Sequence, residues 1–419
     1  MTARADWIDE ARRADMLEVA GRLGANLRRN GREFVGPCPL CGGKSDKLSV
    51  NPQKRVFNCG HDNGAGGDVV DLVCHVMDYD RSSGFLAACE WINGTPPPDG
   101  AKTETAAQRQ DRERRAEERR RELELEGARN KAAADKFRDK ERKRAYELWM
   151  SGLPIHDTHA ARYLEARGIL HHQGLRLRFI PAATYWVWSK KRKCFISAGA
   201  FPVMTAAIVG PDGRFAALHQ TFLDPVEPRK AIVADPVTGE THDADGRLIY
   251  PAKKVRGPRG AGVIHLTRAC GQAEARVGEG IETTAAVRDA MIDEGRPVDG
   301  ILWVVAVSLG NMGGPAAESV PHPLGLKRPD ARGRMRSIRI PGPEPDWKEP
   351  GMVLPPTVRR ALLLCDGDSD RATVDFATLR GAARFARAGV DTLRAWPTDG
   401  LDFNDMRRAE IAARNGVCP

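Results

Sequence analysis

Aromatic residues are scarce, at 6% of the 419 residues. No apolar run approaches the ~18 residues of an ordinary membrane span, so no membrane role is expected. Met1–Arg13 is charged and lacks the apolar core of a signal peptide, so a cytoplasmic protein is expected. There is no G-x-x-x-x-G-K-[ST] run, which argues against a fused P-loop motor, and no internal repeat. Cysteines number only nine, and in a reducing compartment they read as thiols or metal ligands rather than as a disulfide frame. What the chain does have is charge. Lys and Arg total 65 against 56 Asp and Glu, a formal net charge of +9, which suits a polyanionic partner. At roughly 150 residues per domain, about three domains are expected.

The composition changes several times along the chain. Residues 4–24 read as one amphipathic helix, with Trp7, Ile8, Ala11, Met16, Val19, Ala20 and Leu23 on its stripe. Residues 31–95 are rich in Cys, Gly and short β-like runs and end at Pro96-Pro97-Pro98. From Glu104 to Trp149 the chain is Arg, Glu, Lys and Ala with opposite charges at helical spacing, which predicts a solvated helical spacer. Residues 175–270 carry β-rich, basic runs. From Ala273 strands alternate with helices: strands at 275–278, 301–307, 361–365 and 392–396, helices at 283–293 and 372–388. That alternation predicts a parallel sheet with covering helices. The stretch 311–357 is too long for an ordinary connection and reads as an insertion. The fold expected is multidomain, α+β and α/β, divided as 1–95, 96–150, 151–272 and 273–419.

Two constellations carry chemistry. The first is Pro37-Cys38-Pro39-Leu40-Cys41-Gly42-Gly43, then, with 17 residues between it and Cys41, a third thiol in Asn58-Cys59-Gly60-His61. The run between them reads as a β-hairpin turning at Asn51–Lys54, which returns Cys59 to the first pair. Zinc takes four N or S ligands. His61 is the nearest candidate for the fourth, Asp62 is weaker, and Cys74 and His75 lie further on, beyond a Gly-rich turn. Cys74 and Cys89 read as packing residues and Asp68 as a helix N-cap.

The second constellation is acidic: Glu279 in Gly278-Glu279-Gly280, Asp366 and Asp368 in Cys365-Asp366-Gly367-Asp368, and Asp402 with Asp405 in Asp402-Phe403-Asn404-Asp405. Each follows a predicted strand. In open α/β sheets, sites lie at the carboxyl ends of strands, so the three clusters are expected to converge. Grouped carboxylates call for a hard cation, magnesium or manganese, and suit phosphoryl chemistry. Arg229, Lys230, Lys253, Lys254, Arg256 and Arg259 supply cations for nucleic acid or NTP. Trp186 and Trp188 read mainly as packing residues.

The run Cys38–Gly67 resembles the zinc ribbon of bacterial and phage DnaG-type DNA primases. Glu279 with Asp366-x-Asp368 resembles the metal motif of a Toprim domain. Tyr163-Leu164-x-x-Arg167-Gly168-Ile169, Leu177-Arg178-Phe179 and His219-Gln220-Thr221-Phe222-Leu223 resemble the primase core of phages and mobile elements. The resemblance implies an N-terminal zinc ribbon, a charged spacer, a basic primase-core subdomain and a Toprim catalytic domain. It implies a DNA-directed RNA polymerase of the primase type, in a bacterial cell or a phage-infected host. Such an enzyme makes short RNA primers on a single-stranded DNA template from NTPs, beside a replicative helicase. In that picture Cys38, Cys41, Cys59 and His61 hold structural zinc. Asp366 and Asp368 hold the catalytic metal, Glu279 completes the site or deprotonates the attacking hydroxyl, and Asp402 and Asp405 are candidates for a further metal. The rival readings are a Toprim-type nuclease or topoisomerase-like strand breaker, and a non-catalytic adaptor for a helicase.

Overall fold

The computed structural model describes residues 3–30, 33–42, 47–60, 65–80, 82–98, 106–189, 192–329, 334–414 and 416. The chain divides into two compact units, Met1–Asp135 and Lys136–Pro419.

In the first unit the expected single N-terminal helix is two, α1 (Ala3–Arg13) and α2 (Met16–Arg22). The break has a cause: the Asp15 carboxylate accepts from the Leu17 and Glu18 N–H groups and starts a new helix. Five short antiparallel strands follow in sequence order: β1 (Arg28–Asn30), β2 (Glu33–Gly36), β3 (Leu48–Asn51), β4 (Val56–Cys59) and β5 (Ala65–Gly67). The β3–β4 turn falls where expected, with the Lys54 N–H donating to the Asn51 side chain at 3.0 Å. Helix α3 (Val69–Met77) begins with Asp68 and Asp71 capping each other's backbone N–H groups. A Cβ on Gly67 would lie 1.9 Å from the Asp71 carboxylate, so this cap requires glycine there. Helix α4 (Phe85–Asn93) closes a core of Trp7, Met16, Leu48, Phe57, Leu72 and their neighbours. Cys74 and Cys89 are buried in it, as packing residues should be.

The charged stretch is a 45-residue helix, α5 (Ala106–Met150). Its pairs Arg121–Glu117 and Arg144–Glu141 sit at helical spacing, as expected of a solvated helix.

The second unit is built on one ten-stranded sheet. After β6 (Leu153–Pro154) and α6 (His159–Ala166) come the long hairpin β7 (Leu177–Ser189) and β8 (Cys194–Val209), then β9 (Phe215–Phe222), β10 (Lys253–Arg256) and β11 (Val263–His265). All pair antiparallel. The later strands are β12 (Glu274–Gly278), β13 (Ile301–Val305), β18 (Arg360–Leu364) and β19 (Asp391–Ala395), mutually parallel in the order β13-β12-β18-β19. Strand β11 joins the two halves by pairing with both β8 and β13, so the basic region and the α/β region share one sheet.

Burial explains the layering. Every residue of β13 is buried, as a strand covered on both faces requires. Ile301, Trp303 and Val305 pack with α6 and α7 (Ile281–Asp293). Leu302 and Val304 pack with α8 (Leu309–Gly313) and α9 (Arg371–Arg387) on the other face. The insertion carries two small antiparallel pairs, β14 (Ser319–Pro321) with β17 (Arg339–Pro341) and, between them in sequence, β15 (Lys327–Pro329) with β16 (Met335–Ser337). The last helix among the described residues is α10 (Phe403–Arg414).

Helix α10 is pinned to α7 by a buried ion cluster. Arg407, 1% exposed, reaches Asp289, also 1% exposed, at 2.7 Å and Asp293 at 2.5 Å. It also donates to the Gly168 carbonyl at 3.3 Å. Removing one partner of such a buried pair leaves a charge without compensation. Arg407→Ala is expected to destabilise the second unit by about 3–5 kcal/mol in urea unfolding. Arg414→Ala, on the solvated edge of the same cluster, is expected to cost under ~1 kcal/mol; equal effects would contradict the assignment.

Candidate metal centres and the acidic cavity

In the first unit Cys38, Cys41, Cys59 and His75 bring one ligand atom each to within 4.8 Å of the others. Cys38 Sγ lies 3.4 Å from His75 Nε2, and Cys41 Sγ lies 3.4 Å from Cys59 Sγ and 3.9 Å from that ring nitrogen. Ligands bound to one zinc at about 2.0–2.3 Å would be separated by roughly these distances. The Cys38–Gly42 turn, closed by two backbone hydrogen bonds, aims the first two thiols inward. The Leu40 and Cys41 N–H groups donate to the Cys38 sulfur. Burial and the neighbouring sulfurs push the Cys41 thiol far up, so these donors are crowded as thiols and suited to sharing a divalent cation. The donor set fits structural zinc.

The fourth position is a correction. His75, on the last turn of α3, stands where His61 was expected, and His61 and Asp62 lie outside the described residues. Sequence proximity pointed to His61, whereas among the described residues it is His75 that meets the three thiols. The available signal was the helix itself, whose apolar residues Val69, Val70, Leu72 and Val73 are all buried and whose His75 stacks on Phe57 beside the knuckle.

In the second unit the carboxyl ends of the parallel strands meet at a cavity of about 280 Å³. Its lining includes Glu279 after β12, Asp366 and Asp368 after β18, and Asp402 before α10. Asp366, Asp368 and Asp402 lie within 4.8 Å of one another. A Cβ on Gly367 would stand 2.2 Å from the Leu401 carbonyl, so glycine between the two aspartates is what admits the loop carrying Asp402. Val307, also in the lining, has a left-handed backbone with φ of 73°. That conformation is costly for a β-branched residue, and its N–H donates to the Glu279 carbonyl at 3.0 Å.

Burial and then repulsion from neighbouring carboxylates raise the pKa values of Asp366, Glu279 and Asp402. Asp366 is pushed up to about 6 by burial, with Asp368 and Asp402 adding to the rise. Glu279 is raised by burial and by Asp366, although the Leu309 N–H donates to it. Asp402 is raised by burial and by Asp405 and Asp368. Such a set fits a divalent cation of the magnesium or manganese kind, which takes oxygen ligands. Asp405 is outside this group: its N–H donates to Asp402 and its carboxylate faces Arg408 at 3.8 Å.

The opposite wall is cationic. Lys253 reaches the buried Glu282 at 2.9 Å and Lys230 reaches it at 3.6 Å, while the Tyr163 hydroxyl donates to it at 2.7 Å. Burial opposes the Glu282 charge, but the two lysines and the hydroxyl hold its pKa well below the usual range. Glu282 is thus an internal counter-ion at the start of α7. Asp370 caps α9, accepting from the Thr373 N–H at 2.8 Å. Arg167 and His219 complete the lining, and both carry a buried nitrogen, Arg167 Nε and His219 Nδ1, with no hydrogen-bond partner. Burial lowers the His219 pKa to about 4. Orphaned polar atoms in such a wall suit an anionic ligand.

Of the six expected cationic contacts, Lys230 and Lys253 line the cavity. Arg229 pairs with Asp224, Lys254 lies over the Tyr185 ring, Arg256 pairs with Glu141, and Arg259 donates to the Ser308 hydroxyl. Arg167 and His219 were visible as parts of a motif but were not read as lining residues.

Comparison with known proteins finds similarity in both units. A family model described as the CHC2 zinc finger matches residues 4–94, and one described as a domain of unknown function (DUF7146) matches residues 139–247. The first is the zinc-binding module of DnaG-type primases. The chain resembles those enzymes in sequence: it is 35% identical over 74 residues to the DNA primase of Listeria monocytogenes, a match covering 17% of this chain and 11% of that protein. It is 40% identical over 72 residues to the DNA primase of Geobacillus stearothermophilus, covering 17% and 12%. The matched stretches thus span little more than a tenth of those relatives. The crystal structure of the zinc-binding and RNA polymerase domains of Aquifex aeolicus primase aligns with 98% of this chain and 84% of its own, at 14% identity and a TM-score of 0.32. A score that low carries over the position of no residue. Among the described residues no helix is long and apolar enough to cross a membrane.

His75→Ala is expected to lose the bound zinc, measured by atomic absorption, while His61→Ala retains it; the reverse pattern would overturn the ligand set. For the acidic cavity the sign follows from the raised pKa of Asp366. Its contribution to stability is full below the ordinary value of 3.8 and is lost as pH rises through about 6. Manganese is therefore expected to raise the melting temperature at pH about 7.5 and barely at pH about 5. Asp366→Asn with Asp368→Asn should abolish that difference.

Proposed function

We propose that the chain is a DNA primase, making short RNA primers on single-stranded DNA by metal-dependent nucleotidyl transfer in replication. One observation carries the reading: carboxylates from three separate strand ends share a cavity with Arg167, Lys230 and Lys253. Acidic groups that can hold a cation thus face basic groups that can hold a triphosphate, as phosphoryl transfer needs. The same region reads as a Toprim-type domain in sequence.

In this reading Asp366, Asp368 and Asp402 hold magnesium or manganese. A cation bound there supplies the positive charge that offsets charge build-up on the transferred phosphoryl group. Glu279, half-buried and raised in pKa, is suited to take the proton from a primer 3′-hydroxyl. As that oxygen bonds to the α-phosphorus of an incoming NTP, the bond to pyrophosphate breaks. Lys253, held charged by Glu282, and Arg167 neutralise the phosphates. Lys230, pushed down in pKa by burial, shares Glu282 with Lys253. The zinc module would select where on the template synthesis begins, and a replicative helicase would be the working partner, in the cytoplasm.

The test is incubation with single-stranded DNA, labelled NTPs and magnesium or manganese. Labelled oligoribonucleotides are expected, with Asp366→Ala plus Asp368→Ala lowering product at least about a hundredfold while template binding persists. Metal-dependent nicking of the template without ribonucleotide product would instead favour a strand breaker. Template binding with no product under either metal would favour an adaptor.

A further inference from the structure

The β7–β8 hairpin has two unlike faces. Tyr185, Val187, Ile196 and Phe201 turn inward and pack with Phe222, Val233 and Tyr250. Trp186 and Trp188 turn outward, as strand alternation requires, and are 50% and 53% exposed. Phe195 stands directly opposite Trp188 across the ladder and is 64% exposed. Solvated strand faces are ordinarily polar, so three large rings on one such face need an explanation. The sequence reading of the two tryptophans as packing residues does not supply it.

The rings are held ready for a ligand. Trp188 and Phe195 meet edge to face at 5.1 Å and 73°, which fixes both. Trp186 stands opposite Ser197, whose small side chain leaves the indole face open. The surroundings are cationic. Arg192 and Lys193 are exposed at the turn, next to Lys190 and Lys191, which lie outside the described residues. Lys254 Nζ donates to the Trp186 carbonyl at 2.5 Å. Residues 177–209, the two strands and their turn, contain no Asp or Glu at all. Exposed rings beside unopposed cations match unpaired bases beside phosphates, not an apolar protein face. None of these residues lines the acidic cavity.

We propose that the outward face of the β7–β8 hairpin is a stacking platform for single-stranded DNA, with Trp186, Trp188 and Phe195 receiving bases and Arg192 and Lys193 receiving phosphates. The platform goes beyond the proposed chemistry, since it needs neither metal nor NTP. Sequence preference is expected to be slight, because every base has a face to stack.

The experiment uses the full chain in chelator without NTPs, with fluorescein-labelled oligothymidylate followed by anisotropy and by quenching of protein fluorescence. Trp186→Leu with Trp188→Leu is expected to weaken binding about tenfold or more, whereas Trp186→Phe with Trp188→Phe stays within about threefold. Arg192→Ala with Lys193→Ala should reduce the slope of log affinity against log salt by about 1.4. A duplex of equal length should be indifferent to the tryptophan changes, and an oligoribonucleotide arm compares RNA with DNA. Unchanged oligothymidylate binding in the leucine variant, checked as folded by circular dichroism, overturns the proposal. So does a leucine variant that only dissociates a dimer, which would make the face a contact between copies. Asp366→Ala with Asp368→Ala should bind the oligomer normally, so absence of primer synthesis and absence of stacking are separate results.

Discussion

Crowded negative charge is the constraint on which the second unit depends. Three carboxylates whose oxygens lie within 4.8 Å repel one another, and burial raises the cost of ionising Asp366 and Asp402. A sheet tolerates such a group at one place, where several parallel strands end together and their following loops can be brought close without disturbing the core. The cluster therefore sits at the ends of β18 and β19, in the same parallel sheet as β13, which is buried along its whole length.

Holding the group takes support from residues that never enter it. Glu282 is buried as a counter-ion and keeps two lysines on the facing wall. Arg407 joins α10 to α7 and to the Gly168 carbonyl, and Asn404 donates to the Arg167 carbonyl at 2.5 Å. The loop that carries Arg167 and the helix that follows Asp402 are thus tied to each other. The left-handed backbone at Val307 belongs to the same support. Its N–H is held by the Glu279 carbonyl, within the short connection between β13 and α8.

The zinc site of the first unit solves a related problem with softer donors. Three thiols and an imidazole converge because a β-hairpin returns Cys59 to the Cys38–Cys41 knuckle and a capped helix delivers His75 from the far side. The cap, through Asp68, Asp71 and the bare α-carbon of Gly67, sets where that helix starts and so where His75 ends up.

Local chemistry was readable from residues alone. The Cys38-x-x-Cys41 turn, the Asn51–Lys54 hairpin, the Asp68 cap and the alternation of strand and helix after Ala273 all depend on neighbours within a few residues. The acidic runs after β12 and β18 were legible for the same reason: an apolar strand that opens onto carboxylates is a local pattern. Tertiary structure alone decided which partners meet over long separations. His75 over His61, Asp402 over Asp405, Lys230 and Lys253 over the other four cations, and the outward turn of Trp186 and Trp188 each depend on strand register and on helix placement. One residue of register reverses the face of every side chain in a strand, and no local pattern carries that information.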